Sequence, residues 1–266
     1  MINKVYLGDC LELMKDIADK SIDMILCDLP YGTTACKWDV IIPFEPLWEQ
    51  YKRVIKDNGA IVLTASQPFT SVLVCSNLDM FKYCWEWKKS TSSNFLQSNF
   101  QPRKIHEDIC VFSKYNASYT KNGKKMNYNP IMWGKQEYKI DDNLNKPKSW
   151  KNRISEKYKI KVTNTSGKKF PESIISFKID KDKLHPTQKP VALFEYLIKT
   201  YTNEGDLVLD NCAGSGTTAI SCLNTNRNFI LMEKETKYCE VIINRIKEYY
   251  NDKKNIKDEI DEHKKV

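Results

Sequence analysis

The sequence predicts an α/β fold, a mostly parallel sheet covered by helices. Short β-branched apolar runs alternate with helix-like stretches. One of those runs ends in a glycine-rich turn that opens a helix. The composition of the 266 residues, 41% apolar and 29% charged, is that of a globular chain able to form a real core. At a prior of about 150 residues per domain, this length suits one large domain or one domain carrying a sizeable insertion.

In chain order, the apolar runs predict strands at residues 5–7, 22–27, 60–64, 109–112, 207–209 and 229–232. Residues 81–87 alternate in part and are a further strand candidate. Helices are expected between them at 10–17, 44–55, 191–201, 216–223 and 237–250. Asp57-Asn58-Gly59 reads as a helix stop ahead of the strand at 60–64. Residues 251–266 carry charges of both signs, as a helix end followed by a frayed tail would.

Charge is unevenly distributed. Residues 114–184 hold 18 Lys+Arg and 7 Asp+Glu, a net of +11, whereas the rest of the chain stands at −3. Tyr115, Tyr119, Tyr128, Trp133, Tyr138, Trp150, Tyr158, Phe170 and Phe177 are interleaved with those lysines, and Gly, Pro and Asn interrupt any periodicity. Such a segment is either a solvated lysine-rich surface or a surface for a phosphate backbone and unstacked bases. It is expected to be an irregular insertion at 114–184, between frame segments at 1–113 and 185–250, with the tail at 251–266.

Nine cysteines, with no Cys-x-x-Cys pair, indicate neither a disulfide framework nor a zinc site, and no metal is expected. No window approaches the roughly 18 to 20 uninterrupted apolar residues of a membrane helix, and the first residues give no signal peptide. A soluble, cytoplasmic protein is expected.

Two turns carry the chemistry. Leu209-Asp210-Asn211-Cys212-Ala213-Gly214-Ser215-Gly216-Thr217 joins a buried strand to a helix through small residues, which lets a ligand approach backbone N–H groups. It lacks the lysine of a phosphate-binding P-loop and the full spacing of a dinucleotide site. Alone, it is a tight turn as readily as a ligand site. Glu233, about 20 residues past the glycines at the end of the next strand, suits the hydroxyls of a ribose, and together the two elements favour an adenosine-containing ligand. Taken singly, Glu233 would also serve as a helix-start acid. The second turn, Asp28-Leu29-Pro30-Tyr31, sets a carboxylate, a backbone carbonyl fixed by the following proline, and an aromatic ring at one strand end. The first two can each accept an N–H of a planar amine while the ring stacks on its base; a packing turn is the plainer alternative.

Asp28-Leu29-Pro30-Tyr31 resembles the Asp/Asn/Ser-Pro-Pro-Tyr motif of DNA amino-methyltransferases, and residues 209–217 resemble their S-adenosylmethionine motif. The amine motif comes before the cofactor motif with the basic segment between them, an order similar to the beta group of that family. Leu7-Gly8-Asp9-Cys10, His185-Pro186-Thr187-Gln188-Lys189-Pro190 and the helix at Lys237-Tyr238-Cys239 extend the likeness, which covers residues 5–113 and 185–250. Leu29 stands in place of the usual first proline, in a role that needs only a backbone carbonyl. Asn211-Cys212 replaces a usual Pro-Phe.

The resemblance implies a Rossmann-like, S-adenosylmethionine-dependent methyltransferase sheet with circularly permuted motif order and a target-recognition insertion at 114–184. It implies that Asp28, Leu29, Pro30 and Tyr31 hold the amine of a flipped-out base. It implies that Asp9, Asp210, Cys212, Ala213, Gly214, Ser215, Gly216, Thr217 and Glu233 bind the cofactor, with Thr187 and Lys189 near the cofactor carboxylate. The implied substrate is double-stranded DNA, in a restriction-modification setting that leaves room for a homodimer or a restriction endonuclease partner. The Asp form of the motif leans to adenine N6, with cytosine N4 the alternative; an inactive DNA-binding protein on the same fold and a nicotinamide-dependent dehydrogenase are the competing classes. Cytosine C5 chemistry is rejected because Cys27 lies inside the strand rather than in a Pro-Cys turn.

Overall fold

Residues 22–28 are hydrophobic on both sides, as a strand buried beneath two helical layers must be. Met24 and Leu26 face one layer, Ile25 and Cys27 the other, and all four are fully buried. This strand lies near the middle of the sheet of a computed structural model that describes residues 2–34, 36, 39–118, 123–134, 168–180, 184–185 and 187–263, with side chains to residue 254.

The elements are β1 (Lys4–Leu7), α1 (Cys10–Leu13), β2 (Ile22–Asp28), α2 (Phe44–Val54), β3 (Ile55–Ala65), α3 (Phe69–Cys75), β4 (Phe81–Lys88), β5 (His106–Phe112), β6 (Ile174–Ser176), α4 (Val191–Tyr201), β7 (Leu207–Asp210), α5 (Thr217–Asn224), β8 (Asn228–Glu233) and α6 (Thr236–His263). The strands form one sheet in the order β1-β8-β7-β2-β3-β5-β4-β6. β1, β8, β7, β2 and β3 run parallel, β5 is antiparallel to both of its neighbours, and β6 pairs parallel with β4. One face is covered by Met14, Leu47, Trp48, Tyr51, Phe69 and Leu73; the other by Leu193, Leu197, Tyr201, Ala219, Cys222 and Ile242. β7 and β2 are neighbours although about 180 residues separate them. Their C-terminal ends therefore flank the crevice where open α/β sheets take ligands.

Three expectations about elements need correction. Asp57-Asn58-Gly59 is not the helix stop: α2 already ends at Val54, and the three residues lie inside β3, where the pairing with β2 shifts register between Ile22 and Met24. The helix stops there because Ile55 is already extended and pairs with Ile22 of β2, and the Arg53 guanidinium, bonded to the carbonyls of Met14 and Ile17 at 2.7 and 2.6 Å, ties the helix end to the segment before β2. The helix end expected within 251–266 is longer than the sequence suggests, since α6 runs on to His263, the last described residue. The 114–184 insertion is not irregular throughout: Ile174–Ser176 forms the edge strand β6, and Met126 is buried in the core. α3 gave no sequence signal because it is short and rich in β-branched residues, which lose side-chain freedom in a helix.

The chain divides into two compact units, one of residues Met1–Asn129 and Ser173–Val266, the other of Pro130–Glu172. In the smaller unit, Trp133 and Lys169 exchange two backbone hydrogen bonds of 3.1 and 2.9 Å, and the Lys169 ammonium lies 5.2 Å above the Trp133 ring. Tyr119, Tyr138, Trp150 and Tyr158 lie outside the described residues. No described helix is long and apolar enough to cross a membrane.

Candidate active site

β2 ends in Asp28 because the Leu29-Pro30 pair cannot continue the ladder, so the chain leaves the sheet over the end of β3. The Asp28 carboxylate is held from three sides. Oδ1 accepts the hydroxyls of Tyr31, at 2.7 Å, and of Thr64, which stands opposite Asp28 in the β2–β3 register; Oδ2 accepts the Lys189 ammonium at 2.5 Å. Burial, with the charges of Asp28 and Glu107 beside it, holds the Tyr31 hydroxyl well above its ordinary pKa, so it remains a donor. One face of the Tyr31 ring is taken by Phe69, at 5.0 Å between centroids and 24° between planes. Leu29 is buried. Beyond Tyr31, the backbone N–H groups of Gly32, Thr33 and Thr34 all donate to Asp39, at 2.7–2.9 Å. Burial raises the Asp39 carboxyl, but the hydrogen bonds outweigh it and leave the pKa below its ordinary value.

Lys189, expected near a cofactor carboxylate, extends its ammonium to Asp28 and, at 3.5 Å, to Glu107. Lys89 binds the other Glu107 oxygen at 2.9 Å. Burial alone would lower the Lys189 pKa, but the carboxylates of Asp28 and Glu107 reverse this and raise it. Burial likewise pushes Glu107 up, and the two ammoniums bring it below its ordinary value. Oε2 of Glu107 is buried in the cavity wall and accepts no hydrogen bond.

The glycine turn leaves β7 with Gly214 and Gly216 in left-handed conformations, φ +51° and +78°. A Cβ on Gly216 would come within 2.9 Å of Ile242, so the turn is fitted against α6. Glu233 accepts the Gly214 N–H at 2.8 Å and those of Lys234 and Glu235 at 2.9 Å, which clamps the acid to the turn. Three bonds leave part of the carboxylate's acceptor capacity for a ligand. Burial nonetheless raises its pKa. Asp9 caps α1 by accepting the Leu11 N–H at 2.9 Å. Ser215 bonds Gln188 at 3.1 Å, Thr217 bonds the Lys189 carbonyl at 3.2 Å, and Thr187 bonds His185 Nδ1 at 3.1 Å.

These groups line one cavity of about 620 Å³. Asp9, Asp28, Leu29, Pro30, Tyr31, Thr187, Lys189, Asp210, Cys212, Ala213, Gly214, Ser215, Thr217 and Glu233 all lie on its wall, and of the residues singled out only Gly216 stands behind it. A volume within the roughly 300–1,000 Å³ usual for small-molecule sites, with apolar walls and a clamped acid at the end of β8, fits a nucleoside-bearing ligand. Glu107, His185 and Tyr238 also line the cavity, and Thr64 and Phe69 brace it; none of these was identified from sequence as a site residue. Lys89 lines it as well. Trp85 and Trp87 are buried in the core, and Trp87 also reaches the cavity wall. His106 is exposed, 3.7 Å from Glu86, and with Asp108 these are the potential metal-ligating atoms that come within 4.8 Å of one another among the described residues. Cys27 is fully buried.

Asp210 is buried under the turn, where it accepts the Cys212 N–H at 3.1 Å and the Thr218 hydroxyl. Burial outweighs those bonds and pushes its pKa up to about 7. As pH rises from about 4, the unfolded Asp210 ionises while the folded one keeps its proton, so this residue should lower stability progressively up to about pH 7. Asp210→Asn is expected to remove that slope. Urea-unfolding midpoints of the two proteins across this window measure it, and parallel curves would contradict the assignment.

The family model for DNA methylase matches residues 22–245. The Type II methyltransferase M.HpaI of Haemophilus parainfluenzae is 28% identical over 268 residues, covering 94% of this chain and 76% of that protein. The DNA adenine methyltransferase YhdJ of Escherichia coli K12 is 29% identical over 252 residues, covering 90% and 81%. Among solved structures, the cytosine-N4-specific PvuII DNA methyltransferase superposes with a TM-score of 0.61 at 16% identity, covering 91% of this chain and 86% of that one. The M1.HpyAVI–SAM complex superposes with a TM-score of 0.57 at 24% identity, covering 91% and 98%.

Proposed function

This chain belongs to the N6/N4 DNA methylase family and is a DNA methyltransferase, and from that premise we propose that it methylates the exocyclic N6 of an adenine swung out of duplex DNA. The observation that carries the reading is the Asp28 carboxylate, fixed at the end of β2 beside Leu29 and the Tyr31 ring. S-adenosylmethionine, when bound, supplies an electrophilic methyl group. The Asp210–Thr217 turn, Glu233 and Asp9 would hold it, through turn N–H groups and the remaining acceptor capacity of the two acids.

An aromatic amine is a weak nucleophile because its lone pair is delocalised into the ring. Asp28 and the Leu29 carbonyl each accept one of its N–H bonds, which draws the nitrogen towards a tetrahedral shape and returns the lone pair to it. Oδ2 of Asp28 carries one hydrogen bond, from Lys189, and has a lone pair to spare for this purpose. Because Lys189, Tyr31 and Thr64 hold the carboxylate in place beforehand, little reorganisation is needed at the moment of transfer. Phe69 stacked on one face and the Lys189 ammonium 5.7 Å from the ring centroid hold Tyr31 in place, so a base that stacks on this ring must do so on the face away from Phe69. Such a base must leave the helix, at a cost of a few kcal/mol.

Adenine is favoured by the acidic residue at position 28 and by the likeness to an adenine methyltransferase. Cytosine N4 is the second reading, favoured by the fold's similarity to a cytosine-N4 enzyme. Labelled cofactor and plasmid DNA, digested to nucleosides after reaction, should yield label in N6-methyl-2′-deoxyadenosine. Label in N4-methyl-2′-deoxycytidine would overturn the choice of adenine.

A further inference from the structure

The hairpin joining β4 to β5 carries three large apolar side chains outward: Phe95 is 67% exposed, Leu96 91% and Phe100 89%. Its tip is nevertheless well braced. Asn94 accepts the Lys104 N–H at 2.6 Å and donates to the Pro102 carbonyl at 3.1 Å, and Arg103 reaches Ser92 through two nitrogens at 2.9 and 3.0 Å. A short helical turn, Phe95–Gln97, then sets Leu96 at the front. Exposing adjacent large apolar groups on a rigid support is unfavourable in water and marks a surface that a partner covers.

The surroundings identify that partner. Residues 88–105 contain four basic residues, Lys88, Lys89, Arg103 and Lys104, and no acidic one. Apart from the three apolar side chains and Ile105, the rest of the loop is Ser, Thr, Asn and Gln with a single proline, a composition suited to phosphates and base edges. Thr91, Ser92 and Ser93 also line the active-site cavity, so the tip stands a few residues beyond its mouth. A base that enters that cavity leaves a gap in the duplex, and apolar side chains of the Leu and Phe kind are those that fill unstacked steps.

On the strength of the duplex-DNA function above, we propose that the β4–β5 tip is a DNA wedge: Leu96 and Phe100 enter the base stack beside the target and occupy the space its base vacates. Arg103, whose guanidinium lies 5.4 Å from the Phe95 ring, holds that ring at the flank. The wedge helps to open the duplex and takes no part in methyl transfer itself.

The test uses the full chain and the doubly substituted Leu96→Ser/Phe100→Ser variant. Modified-base sequencing first locates a methylated site, which is then placed in two oligonucleotide duplexes, one fully paired and one with the target base opposite an abasic position. On the paired duplex the variant should lose about 30-fold or more in kcat/KM. On the duplex whose target is already unpaired it should stay within about threefold of the wild type, with S-adenosylmethionine affinity unchanged. Equal losses on both duplexes, or none on either, would overturn the wedge. So would a wild-type dimer that the variant converts to monomer, which would assign the tip to self-association. A wild type that methylates no DNA removes the function and the wedge together, whereas an active wild type with either of the other results removes the wedge alone.

Discussion

Replacing Asp28 with alanine is expected to lower kcat for methyl transfer by on the order of 10³-fold while affinities for DNA and S-adenosylmethionine stay within about threefold. The asymmetry follows from what the carboxylate touches. Its partners are Tyr31, Thr64 and Lys189, all at the amine end, and the turn and acid assigned to the cofactor make none of its hydrogen bonds. Deleting it removes the acceptor that reshapes the nitrogen and frees Tyr31 from its tether, an effect confined to the transition state. Single-turnover transfer of labelled methyl to plasmid DNA, with calorimetry for the cofactor, separates these quantities. A variant with wild-type kcat would remove Asp28 from the chemistry.

The second large effect is expected at Lys189. Lys189→Met should lose about 3–5 kcal/mol of folding stability at pH 8, because it leaves a buried carboxylate cluster short of a cation. The pH dependence distinguishes this from lost packing. Glu107 is lowered in the folded protein, so its stabilisation is present above its unfolded value of about 4.3 and is lost as pH falls through the folded one. Lys189 is raised, so its stabilisation holds below about 10.4 and is lost as pH rises through the folded value. In the variant only Lys89 opposes the burial of Glu107, which therefore takes up a proton at higher pH than in the wild type. The stability gap should be widest near pH 8 and narrow towards pH 5, as read from urea unfolding. A gap constant across that range would mean that Lys189 acts through its aliphatic stem alone.

Both effects involve residues of unequal legibility. Asp28-Leu29-Pro30-Tyr31 and the Asp210–Thr217 turn were visible because a strand end, a proline and two glycines impose their conformations within a few residues. Thr64 and Glu107 were not, since nothing in their own segments marks them. Thr64 matters because β3 lies beside β2 in a register that sets it opposite Asp28. Glu107 matters because antiparallel β5 inserts between β3 and β4 and starts near the end of β2. The role of Lys189 could be approached only through its motif, which implied a place near a cofactor carboxylate and gave no sign of the pairing with Asp28.

By itself, then, the sequence determined the alternation of strands and helices, the two chemical turns and their order, and the concentration of positive charge in one segment. These are properties of contiguous residues. Only the tertiary structure decided that Lys189 and Lys89 balance Asp28 and Glu107, that Phe69 closes one face of Tyr31, and that Trp85 and Trp87 are core while Leu96 and Phe100 stand bare. Each of those depends on strand order, register and the covering of one layer by another, and these are settled by the burial of the whole sheet rather than by any local run of residues.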